Sequence, residues 1–213
     1  MSNDVFVEME CSQLFHDGEE VCGDDFLFER LEAENRHLAV LSDGLGSGIK
    51  ANLLASMTTT MAMKFIRSDM DVLQSAEIIM DTLPVCEIRK ISYATFTIVD
   101  TRLGGVTRIV EMGNPEFLLL RHGRPFPVEG REFSSPKYRE RAMTAYTFQA
   151  QAEDRVLFFS DGVTQAGLGT PRFPLRIAPR SRKEFRIPNA CSILVSSPLS
   201  ARRRRSFMAN SLY

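Results

Sequence analysis

The sequence predicts an α+β fold in which antiparallel strands form the sheet and helices cover its faces. Two stretches with the spacing of amphipathic helices stand between groups of short segments that alternate apolar and polar residues. The later segments, from Tyr93 to Ser160, are separated by glycine-rich turns, which is typical of an antiparallel meander. The 213 residues are 44% hydrophobic, enough for one domain with a substantial core.

Three strands are predicted before the first helix. Val5 to Cys11 alternates apolar with mostly polar residues, and Phe26 to Leu31 and Leu38 to Ser42 follow on either side of a short polar turn. If the second and third strands pair as a hairpin, the start of one lies beside the end of the other. We therefore expect Asp24 to approach Asp43.

Two helices are predicted after the third strand. The apolar stripe of the first helix, which ends near Arg67, is expected to pack on the sheet. This stripe comprises Ile49, Leu53, Leu54, Met57, Met61 and Phe65. The second helix begins after Ser68, Asp69 or Asp71, each of which has a side chain suited to an N-cap, and Pro84 ends it.

The stretch from Leu38 to Ala51 places a carboxylate and several glycines directly after an apolar strand. Its Asp43-Gly44 pair is first of all a turn signal. Neither a dinucleotide fingerprint nor a P-loop fits, because Ile-Lys-Ala occupies residues 49–51, where those motifs need Gly or Gly-Lys-Ser/Thr. An acid at a strand end, beside glycines that let backbone carbonyls approach a ligand, suits a hard metal ion.

Asp24 and Asp161 also stand at predicted strand boundaries, each beside a glycine. Together with Asp43 they are the candidate ligands for Mg²⁺ or Mn²⁺, whereas the three histidines are too scattered for a zinc site. Two such ions bridged by one carboxylate support phosphoester hydrolysis by an activated water. Each acid taken alone also fits a solvated turn residue.

Five short motifs stand in the order and spacing of a known family. They are Cys22-Gly23-Asp24, LSDGLGSG at residues 41–48, SYATF at residues 92–96, MGNP at residues 112–115 and FFSDGV at residues 158–163. On these motifs the chain resembles the metal-dependent serine/threonine protein phosphatases, in the bacterial SpoIIE-type branch. The resemblance covers residues 5–170.

The resemblance implies an αββα sandwich of antiparallel sheets flanked by helices. It also implies that Asp43 bridges two Mn²⁺ or Mg²⁺ ions, that the Gly44 carbonyl contacts one of them, and that Asp24 and Asp161 serve one ion each. The implied reaction is hydrolysis of phosphoserine or phosphothreonine in a bacterial signalling protein. An anti-sigma-factor antagonist is the kind of phosphoprotein substrate that the family suggests.

The C-terminal segment departs from the family pattern. Family members close the sheet with a strand whose Asp-Asp pair supplies a metal ligand, but no Asp follows Asp161 here and Glu184 is the only later acid. We therefore divide the chain into an incomplete phosphatase domain, residues 1–171, that lacks its closing C-terminal elements, and a basic tail, residues 172–213. The tail has nine Arg and one Lys against one acid and carries +9, which leaves −10 on residues 1–171.

Three interpretations of the tail remain open. It is a solvated, disordered extension, a contact for nucleic acid or an acidic membrane through Arg202 to Arg205, or the product of a shifted reading frame. Clustered like charge usually favours the first. A nucleic acid partner is not expected, because a single run of four arginines has no interleaved aromatic residues.

Other classes of protein are not supported by the sequence. No apolar run approaches the roughly 18 residues of a membrane span, and the four cysteines form no C-x-x-C pair. We expect a cytoplasmic protein that does not contact the membrane. The missing acidic strand leaves a second function open, a catalytically impaired phosphatase-like module that works through protein contacts.

Overall fold

The computed structural model describes residues 6–13, 21–83, 94–134, 142–164 and 190–196. The strands in these ranges are β1 (Phe6–Ser12), β2 (Asp24–Leu31), β3 (Arg36–Asp43), β4 (Phe96–Thr101), β5 (Val106–Met112), β6 (Leu118–Arg121), β7 (Arg124–Pro125), β8 (Gly130–Ser134), β9 (Ala142–Gln149), β10 (Arg155–Phe159) and β11 (Ala190–Ser196). The helices are α1 (Gly48–Arg67), α2 (Val72–Thr82) and the single turn α3 (Asp161–Thr164).

The strands form two antiparallel sheets that pack face to face. One sheet has the order β2-β3-β4-β5-β9-β8 and the other β1-β11-β10-β6-β7. Between them lies an apolar cluster to which both sheets contribute, including Leu41 and Ile109 from the first and Leu119 and Phe158 from the second. These side chains alternate along their strands with residues that face away, as in a β-sandwich.

Helices α1 and α2 cover the outer face of the six-stranded sheet. Their apolar residues, among them Ile66 and Ile79, form a second core cluster with Leu38, Phe96 and Ile98 of that sheet. Asp71 is the N-cap of α2, because its carboxylate accepts a hydrogen bond from the backbone N of Leu73, and this confirms one of the three predicted caps. The predicted α+β class, with antiparallel sheets flanked by helices, is confirmed.

Helix α1 buries a different face from the one that its large apolar residues predict. Ile49, Leu53 and Met57 are 77%, 59% and 52% exposed. The buried residues are mostly small: Gly48, Ala51, Ala55, Thr58, Thr59, Ala62, Met63 and Ile66. Small side chains let the helix backbone approach the sheet closely. The predicted stripe was therefore wrong at Ile49, Leu53 and Met57. Leu54, Met61 and Phe65 do pack against the core, but only partly buried.

Strand β11 lies between β1 and β10 and pairs with both. Its register places Cys191 opposite Cys11 on one side and opposite Phe158 on the other. This corrects the expectation that the sheet lacks its closing strand, because Ala190–Ser196 comes from the segment we assigned to the tail. The local sequence ACSILVS, with its β-branched residues, is suited to a central strand despite its basic, proline-containing surroundings.

The division of the chain after residue 171 stays a prediction, since residues 165–189 and 197–213 lie outside the described ranges. Pro84, the predicted end of the second helix, and the run Arg202 to Arg205 also lie outside the described ranges. None of the helices within the described ranges is long and apolar enough to cross a membrane.

Candidate active site

The pairing of β2 with β3 places Asp24 directly opposite Asp43, as the hairpin interpretation predicted. Asp161 is the first residue of α3 and follows β10 of the other sheet. The carboxyl of Asp43 interacts with both Asp24 and Asp161. The three predicted acids therefore come together where the ends of the two sheets meet.

Asp43 lies in an environment that disfavours its negative charge. Burial is the main cause, and the adjacent carboxylates of Asp24 and Asp161 add to it, so that the pKa of Asp43 is raised to about 8. No lysine or arginine in the described ranges forms an ion pair with Asp43. A bound cation would relieve the repulsion within this group of acids.

Asp24 is held by polar partners on two sides. The Ser160 hydroxyl, itself buried, donates to Asp24 Oδ2 over 2.6 Å, and Gln13 Nε2 donates to the backbone O of Asp24 over 3.3 Å. The Ser160 bond joins the end of β10 to the start of β2, so it fixes one carboxylate oxygen across the junction of the two sheets. Ser160 stands in one of the sequence motifs, but nothing in its spacing assigns it this partner.

The loop after Asp43 is shaped by a glycine that tolerates no side chain. A Cβ atom on Gly44 would lie 2.0 Å from the backbone O of Ala51 in α1. The backbone N of Gly44 donates to Gly23 O over 3.2 Å, and Asn52 Nδ2 donates to Cys22 O over 2.9 Å. The Asp43-Gly44 loop, the segment before Asp24 and the first turns of α1 are therefore one closely packed unit.

Thr95, which the sequence did not single out as a site residue, contacts the backbone of Asp43 and is linked in turn to Asn114. The hydroxyl of Thr95 accepts a hydrogen bond from Asp43 N over 3.3 Å, and it also contacts Asn114 Oδ1. Ser42 Oγ, which is fully buried, donates to Thr95 O over 2.7 Å. Thr95 and Asn114 belong to the SYATF and MGNP motifs, and their place in those motifs was the available signal.

The donor chemistry at this junction fits hard divalent cations. Carboxylate and carbonyl oxygens are the ligands that Mg²⁺ and Mn²⁺ prefer. Among the described residues, no three Asp, Glu, His or Cys side chains form a ready-made metal-binding group. The acids instead interact in two pairs, Asp43 with Asp24 and Asp43 with Asp161, and Asp43 is the shared member.

Most of the chain matches the model of one known family. The family model described as Stage II sporulation protein E (SpoIIE) matches residues 33–184. No curated protein matches the chain.

Solved structures with a similar fold include two of SpoIIE from Bacillus subtilis. The phosphatase domain with a fragment of the regulatory domain has a TM-score of 0.72 at 16% identity, and the alignment covers 92% of this chain and 63% of that one. The phosphatase domain alone has a TM-score of 0.62 at 14% identity, with 93% and 96% covered.

RsbX in complex with magnesium has a TM-score of 0.58 at 16% identity, and the alignment covers 92% of this chain and 96% of that one. At such identities the likeness shows the fold alone. The chain spans less than two thirds of the SpoIIE structure that includes the regulatory fragment.

Proposed function

The chain belongs to the SpoIIE family, and on that basis we propose that it is a metal-dependent phosphatase. Its substrate is phosphoserine or phosphothreonine in a bacterial signalling protein. The observation that supports this most strongly is the interaction of the partly buried Asp43 carboxyl with both Asp24 and Asp161. A shared carboxylate between two others is the ligand pattern of a two-metal site for phosphoester hydrolysis.

In this proposal each acid has a distinct role. Asp43 would be shared by two Mn²⁺ or Mg²⁺ ions, Asp24 would hold one of them, Asp161 would hold the other, and the carbonyl of Gly44 would add a backbone ligand. When bound, the ions supply an activated water and neutralise charge on the phosphoryl group. Ser160 keeps Asp24 oriented through its 2.6 Å hydrogen bond.

The acids also determine how metal binding at the site depends on pH. With a pKa of about 8, the Asp43 carboxyl retains a proton near neutral pH in the metal-free protein. Metal binding requires the deprotonated ligand, so it releases this proton and grows stronger as the pH rises toward that pKa. Burial of Asp24 and Ser160 keeps bulk water from competing for the carboxylate oxygens.

The location and partner are further parts of the proposal. A cytoplasmic setting is supported by four cysteines without a C-x-x-C pair. A phosphorylated switch protein of the anti-sigma-factor antagonist type is the proposed substrate, and its support is the family membership. Strand β11 carries no acid in its sequence, so the proposed ligands all come from residues 24–161.

Hydrolysis of p-nitrophenyl phosphate, measured with and without Mn²⁺, tests the function. We expect Mn²⁺-dependent hydrolysis by the unaltered chain and a loss of about 100-fold or more in Asp43→Asn, because several kcal/mol of charge stabilisation disappear. Asp69→Asn is the matched control: Asp69 is exposed, and its φ of 60° is one that asparagine also adopts readily.

Activity that needs no metal, or that survives in Asp43→Asn, would overturn the proposal. Equal inactivity of the unaltered chain and Asp43→Asn would overturn it as well. That second outcome would favour the phosphatase-like module that acts through protein contacts.

A further inference from the structure

A chain of side-chain hydrogen bonds begins at the backbone of Asp43. Thr95 Oγ1 accepts from Asp43 N over 3.3 Å and lies against Asn114 Oδ1. The same oxygen is 3.5 Å from Asp43 O, so the hydroxyl hydrogen of Thr95 has two possible acceptors. A hydroxyl donates only once, and its close contact with Asn114 Oδ1 therefore turns it away from Asp43 O and leaves a lone pair for Asp43 N.

The chain continues from Asn114 into the protein interior. Asn114 Nδ2 donates to Thr97 Oγ1 over 3.0 Å, and the Thr97 hydroxyl hydrogen-bonds the Glu111 carboxyl. Glu111 Oε1 accepts from the backbone N of Phe117 over 3.1 Å. Each group in this series donates its hydrogen to the next, from Asp43 N to the Glu111 carboxyl, which accepts at the end of the series. No two donors therefore face each other along it.

A glycine turn next to Asn114 lets this residue approach Thr95 closely. Thr97 is fully buried and Glu111 is 5% exposed. Gly113 adopts a φ of +76°, and a Cβ atom there would lie 2.8 Å from Thr95 Cγ2. Glycine therefore allows the turn that carries Asn114 to rest against Thr95.

We infer that Thr95 and Asn114 are positioning residues for Asp43. Thr95 holds the Asp43 backbone at both ends of the residue, since its hydroxyl accepts from Asp43 N and its own backbone N donates to Asp43 O over 2.9 Å. Asn114 fixes the rotation of that hydroxyl. Together they keep the Asp43 carboxylate between Asp24 and Asp161, against the repulsion of those two acids. This inference rests on the proposed metal site.

Mn²⁺ affinity, measured by isothermal titration calorimetry on the full chain, tests the inference without relying on catalysis. Thr95→Val keeps the shape of the side chain but removes the hydroxyl. Asn114→Ala removes the Oδ1 acceptor that orients the Thr95 hydroxyl. We expect each variant to bind Mn²⁺ about 10- to 100-fold more weakly, the usual cost of losing a group that orients a metal ligand. Thr95→Ser restores the hydroxyl and is expected to recover the affinity.

Thr101→Val is the matched control. It removes a buried hydroxyl from the other end of β4, where Thr101 Oγ1 pairs with Thr107 Oγ1 over 3.1 Å. We expect its Mn²⁺ affinity to equal that of the unaltered chain. A loss in Thr101→Val as large as that in Thr95→Val would overturn the inference, because general destabilisation would then explain both.

The outcomes separate this inference from the proposed function. Undiminished Mn²⁺ affinity in Thr95→Val and Asn114→Ala, with native circular dichroism, would overturn the positioning role and leave the metal site standing. Absence of Mn²⁺ binding by the unaltered chain would overturn both. If Thr95→Val does not fold, Asn114→Ala decides, since Asn114 is partly exposed.

Discussion

The paired strands β3 and β4 have a carboxylate near each of their two ends, fully buried at Asp100 and partly buried at Asp43, and the surroundings of these carboxylates are opposite. At one end Asp100, fully buried, receives hydrogen bonds from Arg36 Nε at 2.8 Å and Arg36 Nη2 at 3.0 Å. Arg102 adds a further ion pair at 3.2 Å. At the other end the neighbours of Asp43 are two more acids, and its pKa is raised to about 8.

The two carboxylates differ in whether an arginine of the described ranges supplies their counter-charge. A bidentate arginine offsets the desolvation of Asp100, so that end of the sheet is complete without a ligand. Asp43, in contrast, forms no ion pair with a lysine or arginine of the described ranges. A structure that can place an arginine on one buried carboxylate, and has three acids at the other end, is suited to receive its cation from solution.

A large effect on the free energy of unfolding is expected at the end of the sheet where Arg36 pairs with Asp100. Arg36→Met would leave Asp100 buried without its main partner and should lower the free energy of unfolding by about 3–5 kcal/mol. Denaturant titration measures this change. The double variant Arg36→Met/Asp100→Leu removes both charges and should recover most of the loss. A loss below about 1 kcal/mol in Arg36→Met would show that Arg36 does not compensate Asp100.

An effect of comparable size is expected at Glu111, a buried carboxyl with no arginine partner among the described residues. Burial raises its pKa to about 8, against the hydrogen bonds from Phe117 N and Thr97. The folded protein therefore holds a proton on Glu111 that the unfolded chain releases near the ordinary glutamate pKa of 4.5, and the free energy of unfolding falls as the pH rises from there to about 8.

Glu111→Gln removes this titration. The variant should match the unaltered chain near pH 4 and exceed its free energy of unfolding by about 4–5 kcal/mol above pH 8, because each unit of difference in pKa between the two states contributes about 1.4 kcal/mol. Comparing metal-free proteins across this range isolates Glu111, because Asp43 titrates alike in both. A constant difference at all pH values would contradict the assignment.

The smallest effect is expected for an exposed ion pair. Arg108 Nη1 and Asp71 Oδ2 are 2.9 Å apart, but their side chains are 41% and 46% exposed. Arg108→Ala should cost about 0.2–1 kcal/mol, and the cost should shrink at high salt. Asp71→Ala should cost more, because it also removes the N-cap of α2. A loss for Arg108→Ala as large as that for Arg36→Met would mean that burial does not set the strength of these pairs.

The candidate site could be predicted only in part from local sequence. The approach of Asp24 to Asp43 follows from hairpin register, which alternation and a short turn define. Asp161 follows β10 of the other sheet, and its position after an apolar strand and before a glycine made it a candidate ligand. Periodicity does not specify how two sheets stack, so its approach to Asp43 could not be derived from local sequence. The links from Thr95 to Asn114 depend on the turn at Gly113, which no spacing rule specifies.

The fold was predictable where large apolar residues mark the core and less so where they do not. Helix α1 buries alanines and threonines, and hydrophobicity alone gives these residues little weight against Ile49 or Leu53. Strand β11 follows a basic segment, and its seven residues gain their stability from two neighbouring strands that lie far away in sequence. Both features depend on partners that a local pattern does not contain.

Thermal unfolding of the full chain with and without Mn²⁺ tests the central claim that the Asp43 end of the sheet takes its cation from solution. Mn²⁺ at 100 times its dissociation constant should stabilise the unaltered chain by about 2.7 kcal/mol, a rise of about 5–11 °C in Tm. Metal-free Asp43→Asn should melt higher than the unaltered metal-free chain near neutral pH, because folding then no longer requires a proton on this side chain that the unfolded chain releases, and it should not respond to Mn²⁺. An equal Mn²⁺ shift in both proteins, or no shift in either, would contradict the account.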